Sequence, residues 1–285
     1  MSGELLWFLV ALVGAGLFAG FIGGLFGVGG GVVVVPALYA AFGALGVDEG
    51  VRLHVAVGTS LSTIIATSWR SLATHAKAAA VDFAVLKTWT PWIAAGAVVG
   101  SGLAGLAPTR VLIVVFGAGL LLVAGQMGLA SPNWRAFSDL PRGMWRAITA
   151  GGIGVLSALM GIGGGAFGTT MMTVSGRPIH QAVATASGFG AAIALPATCA
   201  YALVGWGRAG LPPLSLGFVS APGFLVFAAL TAVTAPIGAR LAHRLPQQTL
   251  KRAFAAFLAI VALNMLREGV FSAPPVPPSA LVASP

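Results

Sequence analysis

Apolar runs succeed one another from Leu5 to Leu266 with only short polar punctuation, and this most narrows what the chain can become. Of its 285 residues 58% are apolar and 7% charged, whereas an ordinary soluble domain carries about a quarter charged residues. Too few polar side chains are present to cover a water-exposed surface, so the sequence predicts an integral membrane protein. At ~20 residues per spanning helix the length admits roughly eight to ten spans of an all-α polytopic protein, with no room for a large soluble domain.

Ten segments stand out. The first five are Leu5 to Phe26, Val32 to Leu45, His54 to Trp69, Trp89 to Leu106 and Val111 to Leu129. The second five are Ala147 to Met160, Ala166 to Val174, Ala182 to Trp206, Leu216 to Ile237 and Leu250 to Leu266. The first has Glu4 and no cation ahead of it, so it reads as a retained helix rather than a signal peptide.

The two sets are related. Gly27-Val28-Gly29-Gly30-Gly31 matches Gly161-Ile162-Gly163-Gly164-Gly165 at an offset of 134 (from 27 to 161). His54 to Thr59 matches His180 to Thr185 at 126 (from 54 to 180), and the stretch from Gly100 to Met127 matches Gly238 to Met265 at 138 (from 100 to 238). Three collinear blocks indicate an internal duplication. The expected layout is a first repeat over 1–130, a cytoplasmic linker over 131–146, a second repeat over 147–268 and a disordered tail over 269–285 containing the Pro-rich stretch Pro274 to Pro278.

Five segments per half make the halves inverted, and charge supports this. With ten crossings the odd-numbered loops hold Arg70, Lys77, Lys87, Arg135, Arg142, Arg146, Arg177, Arg240, Arg244, Lys251 and Arg252, leaving Arg52, Arg110, Arg208 and Arg267 for the other side. Lys and Arg are retained in the cytoplasm, so the odd loops are expected inside and both ends of the chain outside. The net charge of +9 therefore reads as topology and contact with anionic headgroups, not nucleic-acid binding. The Trp residues lie mostly near the ends of apolar runs, as an interfacial belt requires. The single Cys199 excludes an intrachain disulfide or cysteine cluster, and four His without a helix-spaced His/Glu pair argue against a transition-metal site.

The second and seventh segments follow the glycine triplets at matched positions and are too short to cross. Interrupted short segments in corresponding places of two halves point to a transporter's substrate site. Glycines let the backbone present successive N–H groups, and the following helix aims the positive end of its dipole at the same spot. Gly29, Gly30, Gly31, Gly163, Gly164 and Gly165 are thus candidates for binding a small oxyanion; tight helix packing is the competing reading. No Walker lysine follows either triplet, so no nucleotide cofactor is expected. The hydroxyls of Thr59, Ser60, Thr185 and Ser187 either donate to the same anion or satisfy their own helix backbone. Thr169 and Thr170 could join them, without hydroxyl counterparts in the first half, where Val35 and Pro36 stand. His54 and His180 either sit at the interface or couple protons to transport. Asp82 reads as solvated loop charge beside Lys77 and Lys87.

At these residues the chain resembles the sulfite exporter TauE/SafE family of bacterial inner-membrane proteins. The resemblance rests on Gly27 to Gly31, on Ala56-Val57-Gly58-Thr59-Ser60-Leu61 with His75-Ala76-Lys77 and Val81-Asp82, and on Gly163-Gly164-Gly165. Gly238-Ala239-Arg240-Leu241-Ala242 leading to Leu250-Lys251-Arg252-Ala253-Phe254 extends it over nearly the whole chain. It implies secondary transport of sulfite or an organosulfonate such as sulfoacetate, usually outward, across the bacterial cytoplasmic membrane. An anion channel, or an importer of another sulfur oxyanion such as thiosulfate, would use the same pocket. An enzyme is not expected, because the spans hold no paired acids and no nucleophile–base constellation.

Overall fold

The computed structural model describes residues 2–27, 29–129 and 137–271. Among these the first half contributes α1 (Ser2–Phe26), α2 (Gly31–Ala44), α3 (Glu49–Lys77), α4 (Phe83–Leu106) and α5 (Thr109–Leu129). The second contributes α6 (Gly143–Met160), α7 (Gly165–Val174), α8 (Ile179–Val204), α9 (Ala221–Ala242) and α10 (Gln247–Phe271). A two-stranded antiparallel ribbon of β1 (Ser215–Leu216) and β2 (Val219–Ser220) sits ahead of α9, a small departure from an all-helical chain.

The expected ten segments are all present, with shifted ends. Helix α3 starts at Glu49, capped by Asp48, whose carboxylate accepts from the Gly50 N–H at 2.7 Å, and it runs eight residues past Trp69. Helix α9 starts at Ala221, not Leu216, because Ser220 caps it and Pro222 occupies its first turn, where a missing N–H costs nothing. The linker ends early, since α6 already begins at Gly143; residues 131–136 lie outside the described residues. Helix α10 continues to Phe271, so 269–271 are helical where a tail was expected, and 272–285 lie outside the described residues.

Thr109–Leu129, Ile179–Val204, Ala221–Ala242 and Gln247–Arg267 are each long and apolar enough to cross a bilayer. The outward faces are apolar too: Leu122, Leu203, Leu225, Val233 and Ile260 are all exposed, a surface suited to lipid rather than water. Trp145 and Trp206 are exposed at helix ends and Trp69 and Trp92 are exposed two or more turns further in, whereas Trp89 is buried and stacks on Phe189.

Packing repeats with the sequence. Helix α1 lies along α9 and, in the same relation, α6 lies along α4; α3 meets α8, and α5 meets α10. Lipid tails are as apolar as the helices, so the helices gain from close approach of small residues rather than from leaving water. Gly238 accordingly rests on the Phe21 carbonyl and its repeat partner Gly100 on the Val155 carbonyl, leaving no room for a Cβ at either place.

The halves run in opposite directions. Helix α3 begins at one end of the bundle, where His54 bonds the Ala107 carbonyl, and finishes at the other, where His75 meets His243. Helix α8 begins at that second end, where His180 bonds the Leu245 carbonyl. The same end holds Asp139 with its ion-pair partners Arg142 (2.7 Å) and Arg177 (3.4 Å).

Candidate functional site

The chain reverses at both glycine clusters. Gly27, Gly29 and Gly30 in the first half, and Gly161 and Gly164 in the second, have positive φ, between 67° and 82°, a region side chains other than glycine seldom enter. Val28 lies outside the described residues. Each reversal rests on the other half's long helix at an equivalent residue. A Cβ on Gly27 would strike the Val183 carbonyl of α8, and one on Gly161 would come within 3.0 Å of the Val57 Cα of α3. Gly31, which opens α2, is pressed against the Gly161 carbonyl, which also accepts from Ser60 Oγ at 2.9 Å. The two breaks therefore meet in the middle of the molecule, as the matched triplets suggested.

Helices α2 and α7 both start there, and neither has a side-chain cap: their N-caps are Gly30 and Gly164. Gly31, Val32, Gly165 and Ala166, which carry the first-turn N–H groups, are buried. Such groups have no partner within their own helix, and leaving a buried donor unpaired costs about 1–3 kcal/mol. Two uncapped N-termini in a buried centre favour an anion, through both the free N–H groups and the helix dipoles.

Around the breaks lie hydroxyls whose oxygens are buried and without a partner: Ser68, Ser157, Thr169 and Thr170. Ser68 Oγ is 3.1 Å from where a Cβ on Gly29 would sit, and Ser157 Oγ 3.7 Å from the same point on Gly164. Thr169 and Thr170 were anticipated from sequence; Ser68 and Ser157 were not. Their signal was helical spacing. Ser68 lies eight residues after Ser60 on the α3 face that carries Ile64, and Ser157 lies one turn before Gly161.

The other anticipated hydroxyls have backbone partners. Thr59 Oγ1 accepts from the Ser220 N–H at 2.9 Å and, in the equivalent arrangement, Thr185 Oγ1 accepts from the Asp82 N–H at 2.9 Å. Each threonine anchors the N-cap of a helix from the opposite half, and the hydroxyl protons retain no acceptor among the described residues. Ser60 and Ser187 donate to the carbonyls of Gly161 and Ala184. Asp82 is not a loop charge: its carboxylate caps α4 by accepting from Val85 N–H at 3.0 Å. Gly163 is at the second break with its carbonyl beside Gly190 of α8.

His54 Nε2 donates to the carbonyls of Ala104 and Ala107, both at 3.1 Å, and His180 Nε2 to the Leu245 carbonyl at 3.0 Å. Ala107 and Leu245 correspond under the 138 offset (from 107 to 245). In both repeats the histidine closes the end of the neighbouring helix, supplying a donor to the Ala107 and Leu245 carbonyls just past its last turn. The structure does not bring His54 or His180 to the glycine breaks.

Comparison with known proteins places the chain among membrane transporters. The family model described as "Sulfite exporter TauE/SafE" matches residues 12–265. A Haemophilus influenzae protein named "Probable membrane transporter protein" is 31% identical over 257 residues, covering 90% of this chain and 97% of its own length. A Methanocaldococcus jannaschii protein of the same description is 28% identical over 274 residues, covering 92% of this chain and 97% of its own. "Probable membrane transporter protein MamO" of Paramagnetospirillum magneticum is 28% identical over 300 residues, covering 90% of this chain and 44% of the longer relative. No solved structure matches the chain.

Proposed function

Because the chain belongs to the sulfite exporter TauE/SafE family and is a membrane transporter, we propose that it carries a small sulfur-containing oxyanion, sulfite or an organosulfonate such as sulfoacetate, out across the bacterial cytoplasmic membrane by alternating access. The observation that carries this reading is the meeting of the two glycine breaks, Gly31 at the uncapped start of α2 pressed on the Gly161 carbonyl of the turn that leads into the equally uncapped α7, with the unpartnered Ser157 hydroxyl beside Gly164 and that of Thr169 one turn into α7. A sulfite or sulfonate head offers three oxygens, enough to accept from both N-termini and a hydroxyl at once.

The two breaks touch, so an anion enters as they part, and opposed halves related by inversion can open toward either side in turn. Cations gather where an exported anion would arrive. A cavity of about 330 Å³ is lined by Arg70, Lys77 and Arg240, and a second of about 330 Å³ shares Arg240 and adds Arg244. A cleft of one sign concentrates the opposite ion.

The test is counterflow in proteoliposomes loaded with sulfite, sulfoacetate, thiosulfate or sulfate. Saturable exchange of sulfite or sulfoacetate, competed by the other, is expected. Absence of exchange with both overturns the substrate class, and single-channel currents in a planar bilayer overturn the carrier mechanism.

A further inference from the structure

His75 and His243 do not belong to the cluster described above. The His75 side chain is buried at the last turn of α3, with Nδ1 2.9 Å from His243 Nε2 and Nε2 3.3 Å from the Gly24 carbonyl. His243 is the residue that ends α9 and is half-buried. Gly24 is in the last turn of α1, three residues before the Gly27 reversal, and its carbonyl is among those the helix cannot pair itself.

The second half makes the same hydrogen bond with different chemistry. Tyr201 corresponds to His75 at the 126 offset (from 75 to 201), and Ala158 to Gly24 at 134 (from 24 to 158). Tyr201 donates its hydroxyl to the Ala158 carbonyl at 3.0 Å. The residue equivalent to His243, at 138 (from 105 to 243), is Gly105. Closing the helix ahead of a glycine reversal therefore needs only a donor, which a tyrosine supplies. The first half instead has an imidazole backed by a second imidazole, a pair that, unlike the tyrosine, can accept a proton.

On the reading of the protein as an anion carrier, we infer that the His75–His243 pair is its proton site, charged when the anion binds at the glycine breaks and neutral when the anion leaves. In the neutral pair His75 Nε2–H donates to Gly24, so His75 Nδ1 accepts from His243 Nε2–H, and His243 Nδ1 is the free base. A proton from water bonds to His243 Nδ1, and the shared proton can pass from His243 Nε2 to His75 Nδ1, placing an imidazolium against the negative end of the α1 dipole. Two imidazoliums cannot share the 2.9 Å contact, so the pair holds one extra proton.

The surroundings make that proton depend on an anion. The ionisable groups that bear on the rings are imidazoles, His243 on His75 and His180 on His243. The charged residues at this end of the packed elements are cations, Arg70 and Lys77 on α3, Arg240 and Arg244 flanking His243, and Lys251 and Arg252 on α10. Glu49 and Arg52 of α3 and Arg267 and Glu268 of α10 are in the far turns of those helices, and the Asp82 carboxylate is committed to capping α4. Helix α1 brings no titratable group among its described side chains. Burial first, and then His180, hold His243 below the usual histidine range. The pair is thus neutral near pH 7 until negative charge arrives, and by linkage whatever favours the proton favours the anion equally.

The test is proton uptake by purified protein in weak buffer on adding sulfoacetate, which does not titrate near neutrality, with anion affinity measured at several pH values. The native chain should take up as much as one proton per anion bound and bind more tightly as pH falls, by up to about tenfold per unit. The double variant His75→Tyr with His243→Gly transplants the second half's arrangement. It should take up no proton and show an affinity flat with pH, while the loop variant Arg142→Gln behaves as the native chain. His75→Gln, which keeps a donor for Gly24 without a titratable ring, is read alongside so that a folding defect in the transplant does not decide the result. Uptake that survives in either variant, or binding by the native chain without uptake, overturns the inference. Failure to bind sulfoacetate, sulfite or thiosulfate at all overturns the carrier reading itself, and the proton site falls with it.

Discussion

Thr169 and Ser60 are both buried hydroxyl residues with opposite commitments, so their substitutions separate binding from folding. Thr169 Oγ1 is buried with no partner. Thr169→Val removes an unsatisfied hydroxyl, and melting in detergent is expected to be unchanged or slightly higher. Sulfoacetate affinity should fall about tenfold or more, since a hydrogen bond to a charged group contributes about 1.5–3 kcal/mol; unchanged affinity would place the anion elsewhere. Ser60 already donates to the Gly161 carbonyl. Ser60→Ala leaves that carbonyl unpaired in the centre and should destabilise the protein by about 1–3 kcal/mol in thermal unfolding. At this scale the sequence showed which residue types gather at the breaks but not their partners. Thr59 and Thr185 were recognisable as a repeated pair, yet their acceptor role depends on Ser220 and Asp82, more than a hundred residues away in the chain. His75 was named only as part of the family resemblance, and its equivalence to Tyr201 escaped notice because unlike side chains do the same job, which a search for identities passes over.

The elements were legible wherever apolarity marked them and obscure wherever polar residues remained helical. Helix α3 was expected to stop at Trp69 because Arg70 to Lys77 looks like a loop. It continues because His75, in its last turn, is held by the Gly24 carbonyl of α1 and by His243 at the end of α9. The short α2 and α7 were read correctly from length alone, since no 14- or 10-residue helix spans a bilayer. The glycines of these elements divide into two kinds, and substitution should distinguish them. A Cβ on Gly31 would collide with the Gly161 carbonyl, whereas one on Gly152, in the interior of α6, meets nothing within 4 Å. Gly31→Ala is therefore expected to abolish counterflow and lower the melting temperature. Gly152→Ala should leave transport intact and stabilise by up to about 1 kcal/mol, the usual gain of alanine over glycine in a helix. Equal behaviour of the two would mean that the breaks do not touch in the membrane.

The whole molecule is a pair of opposed halves with its cations gathered at one end. Positive residues stay in the cytoplasm, so the end bearing His75, Asp139, Arg177 and His243 should face inward. Ser138→Cys in a Cys199→Ala background should react with a membrane-impermeant maleimide only in inside-out vesicles, and Gly210→Cys only in right-side-out ones. The reverse labelling would turn the carrier over and with it the direction of the cationic cavities. Inversion itself was visible in the loop charges and the odd number of segments. What the sequence could not show is that each half is completed by the other, because the offsets relate residues that are alike and not residues that touch.

That mutual completion bears on how the protein is made. Helix α1 is synthesised first, but its long partner α9 begins at Ala221, and the Gly27 reversal has its seat on Val183. Through most of translation the first half must wait in the lipid with a backbone kink uncovered and its glycine face bare. Assembly is thus deferred until the second half has been inserted, and a chain interrupted before α8 would carry five helices that cannot settle. Such a fragment should be cleared by membrane proteases, and supplying the second half as a separate polypeptide should protect it.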